Sequence, residues 1–200
     1  MVEYVLPYVV RVEKGYVVTA EDAYIAAAAA TVKFLDQNRN SSEFKTWAAA
    51  DYRKVVRRAR GVKWDKAKDN AEIVASHDDV EVAIFAFHDL ATESPDYLRS
   101  LQVSGLELPS GIVGGSSTKG ALCIAQAYQK MSSGKAIAQA SHAAQMAYLA
   151  NPAAALKSVK EGTLSVLDIK DAPSDAFVVK DNGLTEIPAG TVTFKAWFQK

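Results

Sequence analysis

Apolar and polar residues recur with two different periodicities along this chain, one typical of strands and the other typical of helices. In the N-terminal half, clusters of β-branched and aromatic residues predict strands at 5–12, 72–76 and 80–87. A helix is predicted from Thr19, a residue type that caps helices, to about Gln37, because this stretch is rich in alanine. A short amphipathic helix is predicted from Pro95 to about Val103.

The segment from Ser42 to Gly61 admits two interpretations. Its apolar side chains recur three and four positions apart, which favours a helix that ends at Gly61. The last part of the segment, KVVRRAR at 54–60, also fits a strand. We take the helix as the expectation.

The C-terminal half repeats the order of the first half. Strands are predicted at 121–128, 164–169, 176–180 and 191–198. A helix is predicted from Lys135 to Leu149, followed after Asn151-Pro152 by one more turn. The glycine- and serine-rich stretch 106–120 is the best domain boundary. We therefore expect an α/β fold of two related halves, 1–108 and 112–200.

Composition narrows the class of protein. The chain has 200 residues, 49% of them hydrophobic, and its 23 basic and 23 acidic residues cancel. These values exclude a disordered chain and a histone-like polycation, but they leave room for a local basic patch. Cys123 is the single cysteine, which predicts a reducing compartment, and no apolar tract reaches the length of a membrane span. The N-terminus, with Glu3, lacks a secretory pattern, so we expect a soluble cytoplasmic protein.

Two stretches could carry chemistry, whereas the spacings of metal and nucleotide motifs are absent. On the predicted helix, Lys135, Gln139 and His142 form one polar stripe. A cation in the first helical turn is unfavourable, which suggests an anionic ligand, although a surface lysine is the simpler explanation. Asp181-Asn182-Gly183 is typical of a hairpin turn, but Asp181 and Thr185 could also join Lys135 in one cluster.

Together the two stretches resemble the type 2 peptidyl-tRNA hydrolase family of archaea and eukaryotes. That family carries a motif of the form K-M/L-x-K-G-K-x-A-A-Q-x-x-H-A, and this chain has KMSSGKAIAQASHA at 130–143. The family also carries a segment like D-A-G-x-T-x-I-x-P-G-T before its last strand, and this chain has DNGLTEIPAGT at 181–191. The resemblance covers about 120–198, the second half only.

The resemblance implies a site and a reaction. It places catalytic roles on Lys135, Asp181 and Thr185, and substrate-binding roles on Gln139, Lys130, Ser133 and Gly183. The family folds as a four-stranded mixed β-sheet flanked by helices and is commonly a homodimer. It hydrolyses the ester between a peptide and the 3′ ribose of tRNA, so the implied partner is peptidyl-tRNA and not DNA, and no metal or organic cofactor is implied.

The chain also departs from the family. Ser133 stands where a lysine is frequent, and the segment between the two motifs is short. The last predicted strand ends close to Lys200, whereas 95–101 in the first half looks like the family's C-terminal helix. The first half has TAED at 19–22 in place of the lysine motif. We therefore expect a tandem pseudo-dimer with one active site, working as a monomer or as a homodimer.

Three functions stay open from the sequence: a peptidyl-tRNA hydrolase, a catalytically inactive tRNA- or RNA-binding relative, and a structural interaction module. If the protein is a hydrolase, we expect Lys135, Gln139, Asp181 and Thr185 to converge in space. We expect His142 to be structural or peripheral.

A basic run in the first half is a second candidate for ligand binding. On the expected helix, Lys54, Arg57 and Arg58 share one solvated face and are candidates to contact the tRNA backbone. An ordinary solvated helix face is the equal alternative. The three tryptophans are not interleaved with this run, which assigns them to the core: Trp47, Trp64 and Trp197.

Overall fold

The computed structural model describes residues 2–111, 113 and 118–200, and these residues form an α/β protein with two mixed β-sheets flanked by helices. The first half contains β1 (Tyr4–Arg11), α1 (Ala20–Asn38), α2 (Ser42–Ala49), β2 (Lys54–Ala59), α3 (Val62–Lys68), β3 (Ile73–His77), β4 (Val80–Ile84), β5 (His88–Asp89) and α4 (Asp96–Arg99). The second half contains β6 (Leu122–Gln126), α5 (Ser133–Ala150), α6 (Pro152–Lys160), β7 (Ser165–Val166), a 3-10 turn (Ile169–Asp171), β8 (Phe177–Lys180) and β9 (Val192–Phe198). The predicted α/β class is confirmed.

The two sheets share one strand topology. The first has the order β2-β1-β4-β3, with β5 paired to the start of β1, and the second has the order β7-β6-β9-β8. In each sheet the first pair of neighbours is parallel and the next two pairs are antiparallel. In both halves, the first strand along the chain is followed by a long helix and then by a shorter helix.

The long helices begin in the same way. The Thr19 hydroxyl accepts the backbone N–H of Asp22, and the Ser132 hydroxyl accepts the backbone N–H of Lys135, so each helix has a side-chain cap at its N-terminus. Both helices are rich in alanine, whose small side chain favours the helix and allows close packing.

Helices α1 and α5 pack against each other, and one apolar core extends across both halves. The ring of Tyr24 on α1 lies edge-on to Phe194 on β9, with 5.2 Å between ring centroids. The Tyr24 hydroxyl also donates to Gln126 at the end of β6, at 3.0 Å. Each half therefore completes the core of the other.

The helix expected at 54–60 is wrong, because this segment is strand β2. Helix α2 ends at Ala49, and Asp51 and Tyr52 then adopt φ angles of 63° and 53°, which a helix cannot continue through. The chain next pairs in parallel with β1, from Leu6 opposite Lys54 to Arg11 opposite Ala59. Pairing with a buried neighbouring strand outweighs the local helical pattern.

Other predicted elements differ in extent. The helix predicted from Pro95 to Val103 is a single turn, α4, because the chain leaves it to pair with β2 through Arg58 and Gln102. Part of the predicted boundary at 106–120, namely 112 and 114–117, lies outside the described residues. The three tryptophans are buried as predicted: Trp47 (0% exposed), Trp64 (1%) and Trp197 (5%). In the described part of the chain, no helix has the length and apolar character needed to cross a bilayer.

Candidate functional site

Lys135 on the first turn of α5 is the centre of a polar cluster. Its Nζ lies 2.5 Å from Oδ2 of Asp181 and donates to the Thr185 hydroxyl at 2.8 Å. The Lys135 side chain is 15% exposed and that of Asp181 is 2% exposed, so the ion pair is largely removed from water. The lysine is thus fixed between a carboxylate and a hydroxyl.

Asp181, the residue that follows β8, is bound through both carboxylate oxygens. Oδ2 also accepts from Nε2 of Gln139 at 2.8 Å, and Oδ1 accepts from the backbone N–H of Gly183 at 2.8 Å. A buried charge is tolerated when it is paired and hydrogen-bonded in this way. The structure therefore brings together Lys135, Gln139, Asp181 and Thr185, as the sequence predicts.

The loop 181–191 between β8 and β9 positions the carboxylate. Its ends are joined by two backbone bonds, Asp181 N–H to Thr191 O at 2.9 Å and Gly190 N–H to Asp181 O at 2.7 Å. Gly183 has φ +74°, and a Cβ there would lie 2.8 Å from the Cβ of Ala189. This glycine is required both by its backbone conformation and by the close approach of the other side of the loop.

Two polar residues that the sequence analysis missed support the cluster. Thr193 on β9 is fully buried and donates to Oε1 of Gln139 at 2.7 Å, which directs the amide N–H of Gln139 towards Asp181. The Glu186 carboxylate accepts the Ser132 hydroxyl at 2.7 Å, at the N-terminus of α5. Thr193 could have been identified from the sequence as a hydroxyl residue inside the last predicted strand. No local pattern links Glu186 to Ser132.

The cluster lies in a cleft of about 910 Å³ between the two halves. One side of the cleft is formed by α5 and the loop 181–191, and the other by β2 and the chain that precedes it. Lys54 of β2 lines this cleft together with His142 and Gln145 of α5. The cleft therefore receives basic side chains from both halves.

Burial changes the protonation of two of these groups. It lowers the pKa of Lys54 well below its usual value. Burial, and then the neighbouring charges of Lys54 and Lys135, lower the pKa of His142 well below its usual value. The His142 imidazole is thus neutral at pH 7.

Three of the four residues predicted to bind substrate lie outside the cleft lining. Lys130 is exposed in the segment before α5 and does not line the cleft, although Ser132, two residues further on, does. Ser133 is buried, and its hydroxyl accepts the backbone N–H of Leu108 at 2.8 Å. Gly183 contributes through its backbone N–H alone.

The helix interpretation placed the basic residues of this segment on one solvated face. In the strand β2 they do not share one face. Side chains alternate along a strand, so Lys54 and Arg58 lie on one face and Arg57 on the other. Arg58 donates to the Gly105 carbonyl at 2.6 Å and to Gln102 at 2.8 Å. It lines a second, basic groove of about 750 Å³, separate in its lining from the first cleft.

A cluster in the first half could hold a cation. The ligand atoms of Asp22, His77 and Asp78 all lie within 4.8 Å of one another. Nε2 of His77 is 3.8 Å from Oδ1 of Asp22. Exposed acidic groups commonly gather in this way without a metal, so we assign no metal to them.

The chain matches no family model, no curated protein and no solved structure. What defines the site is therefore its own geometry: a Lys-Asp-Thr cluster, ordered by a glutamine and a buried threonine, in a cleft between two α/β halves.

Proposed function

We propose that this protein is a peptidyl-tRNA hydrolase, which hydrolyses the ester between a peptide and the 3′ ribose of tRNA. The observation that carries the proposal is the contact of Lys135 with both Asp181 and Thr185. These residues come from the two motifs on which the family resemblance rests, and those motifs are about 45 residues apart in the chain. Their convergence in one cleft is what a shared catalytic task requires.

The contacts suggest a role for each side chain. Lys135 donates two N–H groups, to Asp181 and Thr185, which leaves its third N–H to stabilise the oxyanion that develops on the ester carbonyl. Thr185 accepts from Lys135, so its own O–H is available to the ribose of the ligand. Gln139 and Thr193 are positioning residues. Gln139 donates to Asp181, and Thr193 donates to Gln139, so neither acts directly on the ligand.

The reaction needs no covalent intermediate with the protein. A water oxygen bonds to the ester carbonyl carbon while Asp181 accepts a proton from that water at Oδ1. The tetrahedral intermediate then breaks its bond to the ribose 3′ oxygen, which receives the proton from Asp181. The released peptide carboxylic acid then loses the second proton of the water to solvent, which leaves a peptide carboxylate. The tRNA keeps a 3′ hydroxyl, and the site returns to its starting state.

We further propose that the two halves are related copies, a tandem pseudo-dimer in which the second copy keeps the site. The matched strand order and the matched sense of each strand pairing support this. In this arrangement the packing of α1 on α5 would take the place of an interface between two separate copies. The chain would then work as a monomer on peptidyl-tRNA.

Release of a labelled N-acetyl-aminoacyl group from tRNA tests the hydrolase. The wild-type chain should release it, and Lys135→Met and Asp181→Asn should each lower kcat/KM by about 10²-fold or more, while Thr185→Val should have a smaller effect. Asp22→Asn is the matched control, since Asp22 holds the corresponding position in α1. Circular dichroism should show each variant folded.

A second candidate is an inactive tRNA- or RNA-binding relative. Ser133 favours it, because the lysine frequent at this position in the family is replaced by a buried hydroxyl that binds Leu108. No release of the aminoacyl group by the wild-type chain, together with saturable binding of the same tRNA, would assign this function instead.

A further inference from the structure

Lys54 extends from the edge strand of the first half to the helix that carries the site in the second half. Its Nζ lies 2.8 Å from Nδ1 of His142 and donates to Oε1 of Gln145 at 2.5 Å. It also lies 4.9 Å from the centre of the Trp47 ring, within the range of a cation–π contact. All three of its contacts are with neutral groups.

Lys54 therefore differs from Lys135, which has a carboxylate beside it. Among the residues the structure describes, no acidic side chain forms an ion pair with Lys54. An ammonium group that is largely withdrawn from water is costly without a counter-ion, and here the group lines a cleft that a ligand can enter. An anion bound in the cleft would supply the missing counter-charge and would favour the protonated form of Lys54.

His142 supplies a second donor to the same place. When Lys54 is protonated its ammonium group can only donate, so Nδ1 of His142 then accepts from it and the neutral imidazole carries its proton on Nε2. In the described structure, the Nε2–H and the third N–H of Lys54 have no hydrogen-bond acceptor. Both side chains line the cleft, so the same cleft contains two donors that the protein does not use.

We propose that Lys54, His142 and Gln145 form an anion subsite that binds a phosphate group of the RNA ligand, beside the Lys135-Asp181-Thr185 cluster. The proposal rests on the proposed function, because tRNA supplies phosphates close to the ester that is hydrolysed. Gln145 holds the ammonium group in place, and Lys54 and His142 donate to the phosphate oxygens. The subsite is composite, since the second half alone lacks the cation.

Direct binding tests the subsite without requiring catalysis. The probe is a fluorescein-labelled RNA hairpin with a single-stranded 3′ CCA end, titrated between about 50 mM and about 200 mM salt. Lys54→Gln and Lys54→Met should each weaken binding by about tenfold, the effect of one lost charge-assisted hydrogen bond, and should reduce the salt slope by about one. Lys54→Arg should keep the slope, and Lys160→Gln, at an exposed lysine outside the cleft, should behave as wild type.

Hydrolysis of two esters identifies the group that Lys54 binds. One substrate is N-acetyl-aminoacyl ester on the CCA-ended hairpin, and the other is the same ester on adenosine, which has no phosphate. Lys54→Gln should raise KM for the hairpin ester with little change in kcat, and should leave the adenosine ester unaffected.

The outcomes separate this proposal from the proposed function. Equal binding and equal salt slopes for Lys54→Gln and Lys160→Gln would overturn the subsite, as would an equal loss on both esters, which would place Lys54 at the ester instead. If the wild-type chain hydrolyses neither ester while the binding results are as expected, the hydrolase proposal fails and the phosphate subsite stands. Circular dichroism identifies any variant that is misfolded. If one of the neutral variants, Lys54→Gln or Lys54→Met, is misfolded, the other one and Lys54→Arg still test the subsite.

Discussion

Asp22 and Lys135 occupy the same position in the two long helices and carry opposite charges. Each is the third residue after a hydroxyl side chain that caps its helix, and each donates its backbone N–H to that hydroxyl, at 3.2 Å for Asp22 and 3.4 Å for Lys135. The strands that follow also differ, because β3 and β4 are joined by Asp78-Asp79 where β8 and β9 are joined by the loop 181–191. The first half thus has neither the cation nor the loop that holds its partners.

Substitution of Gly183 by alanine should destabilise the protein and disrupt the site. The new Cβ would lie 2.8 Å from Ala189 at a φ of +74°, so the loop must shift, at a cost of about 2–4 kcal/mol in the free energy of unfolding. Urea unfolding measures this cost.

Gly190→Ala is the matched control for that substitution. Gly190 lies in the same loop with φ +82°, but nothing lies within 4 Å of a Cβ built there. Only the backbone strain applies, so the loss should be about 1 kcal/mol. Equal losses for the two variants would show that the contact with Ala189 is not what requires Gly183.

Lys54 should make stability depend on alkaline pH. Burial lowers its pKa in the folded state, so the unfolded chain binds this proton more tightly and the free energy of unfolding rises with pH until about the ordinary lysine pKa of 10.5. Relative to Lys54→Met, the wild-type protein should therefore gain stability as the pH is raised from the folded-state pKa of Lys54 towards 10.5, by at most about 1.4 kcal/mol per pH unit.

Urea unfolding at several pH values measures this difference, and Lys160→Met serves as the control at an exposed lysine. The groups that face Lys54 are His142, Gln145 and Trp47, none of which carries a negative charge. Parallel pH curves for the wild-type protein and Lys54→Met would contradict the prediction.

Cys123 should resist thiol reagents in the folded protein. It is fully buried on β6, and burial raises the pKa of its thiol to about 11, so little thiolate forms at neutral pH. Labelling by iodoacetamide, followed by mass spectrometry, should be slow in buffer and rapid in urea. Rapid labelling of the native protein would mean that the sheet opens readily around β6.

The second half expressed alone, residues 112–200, should not behave as a folded monomer. Without the first half, α5 loses the packing of α1, and Phe194 loses the ring of Tyr24. The exposed apolar surface should drive the fragment to associate or precipitate, which sedimentation velocity measures. A monomeric, cooperatively folded fragment with the activity of the full chain would refute the idea that the first half completes the second.

The sequence predicts what depends on local spacing. Lys135 and Gln139 are one helical turn apart, so a helix places both on one face, and the glycine beside Asp181 indicates a loop that turns back. Thr193 and Glu186 act across separate elements, so their contacts depend on a strand register and on a loop path that no short pattern encodes.

The error at 54–60 has the same origin. Its apolar positions fit a helix as an isolated segment, but pairing with β1 decides its conformation. The contact of Lys54 with His142 follows from that pairing and from the packing of the two halves, and both lie beyond the range of sequence periodicity. The sequence therefore identified Lys54 as a candidate residue while misplacing its surroundings.

The placement of both sheets in one polypeptide has a consequence for stoichiometry and dilution. The α1–α5 interface is intramolecular, so it cannot be lost by dilution as an interface between separate subunits can. The cleft between the halves consequently persists at any protein concentration, and each chain offers one such cleft with Lys135 on one side and Lys54 on the other. A change in one half alters that single cleft once, whereas in a symmetric pair of identical chains it would alter two.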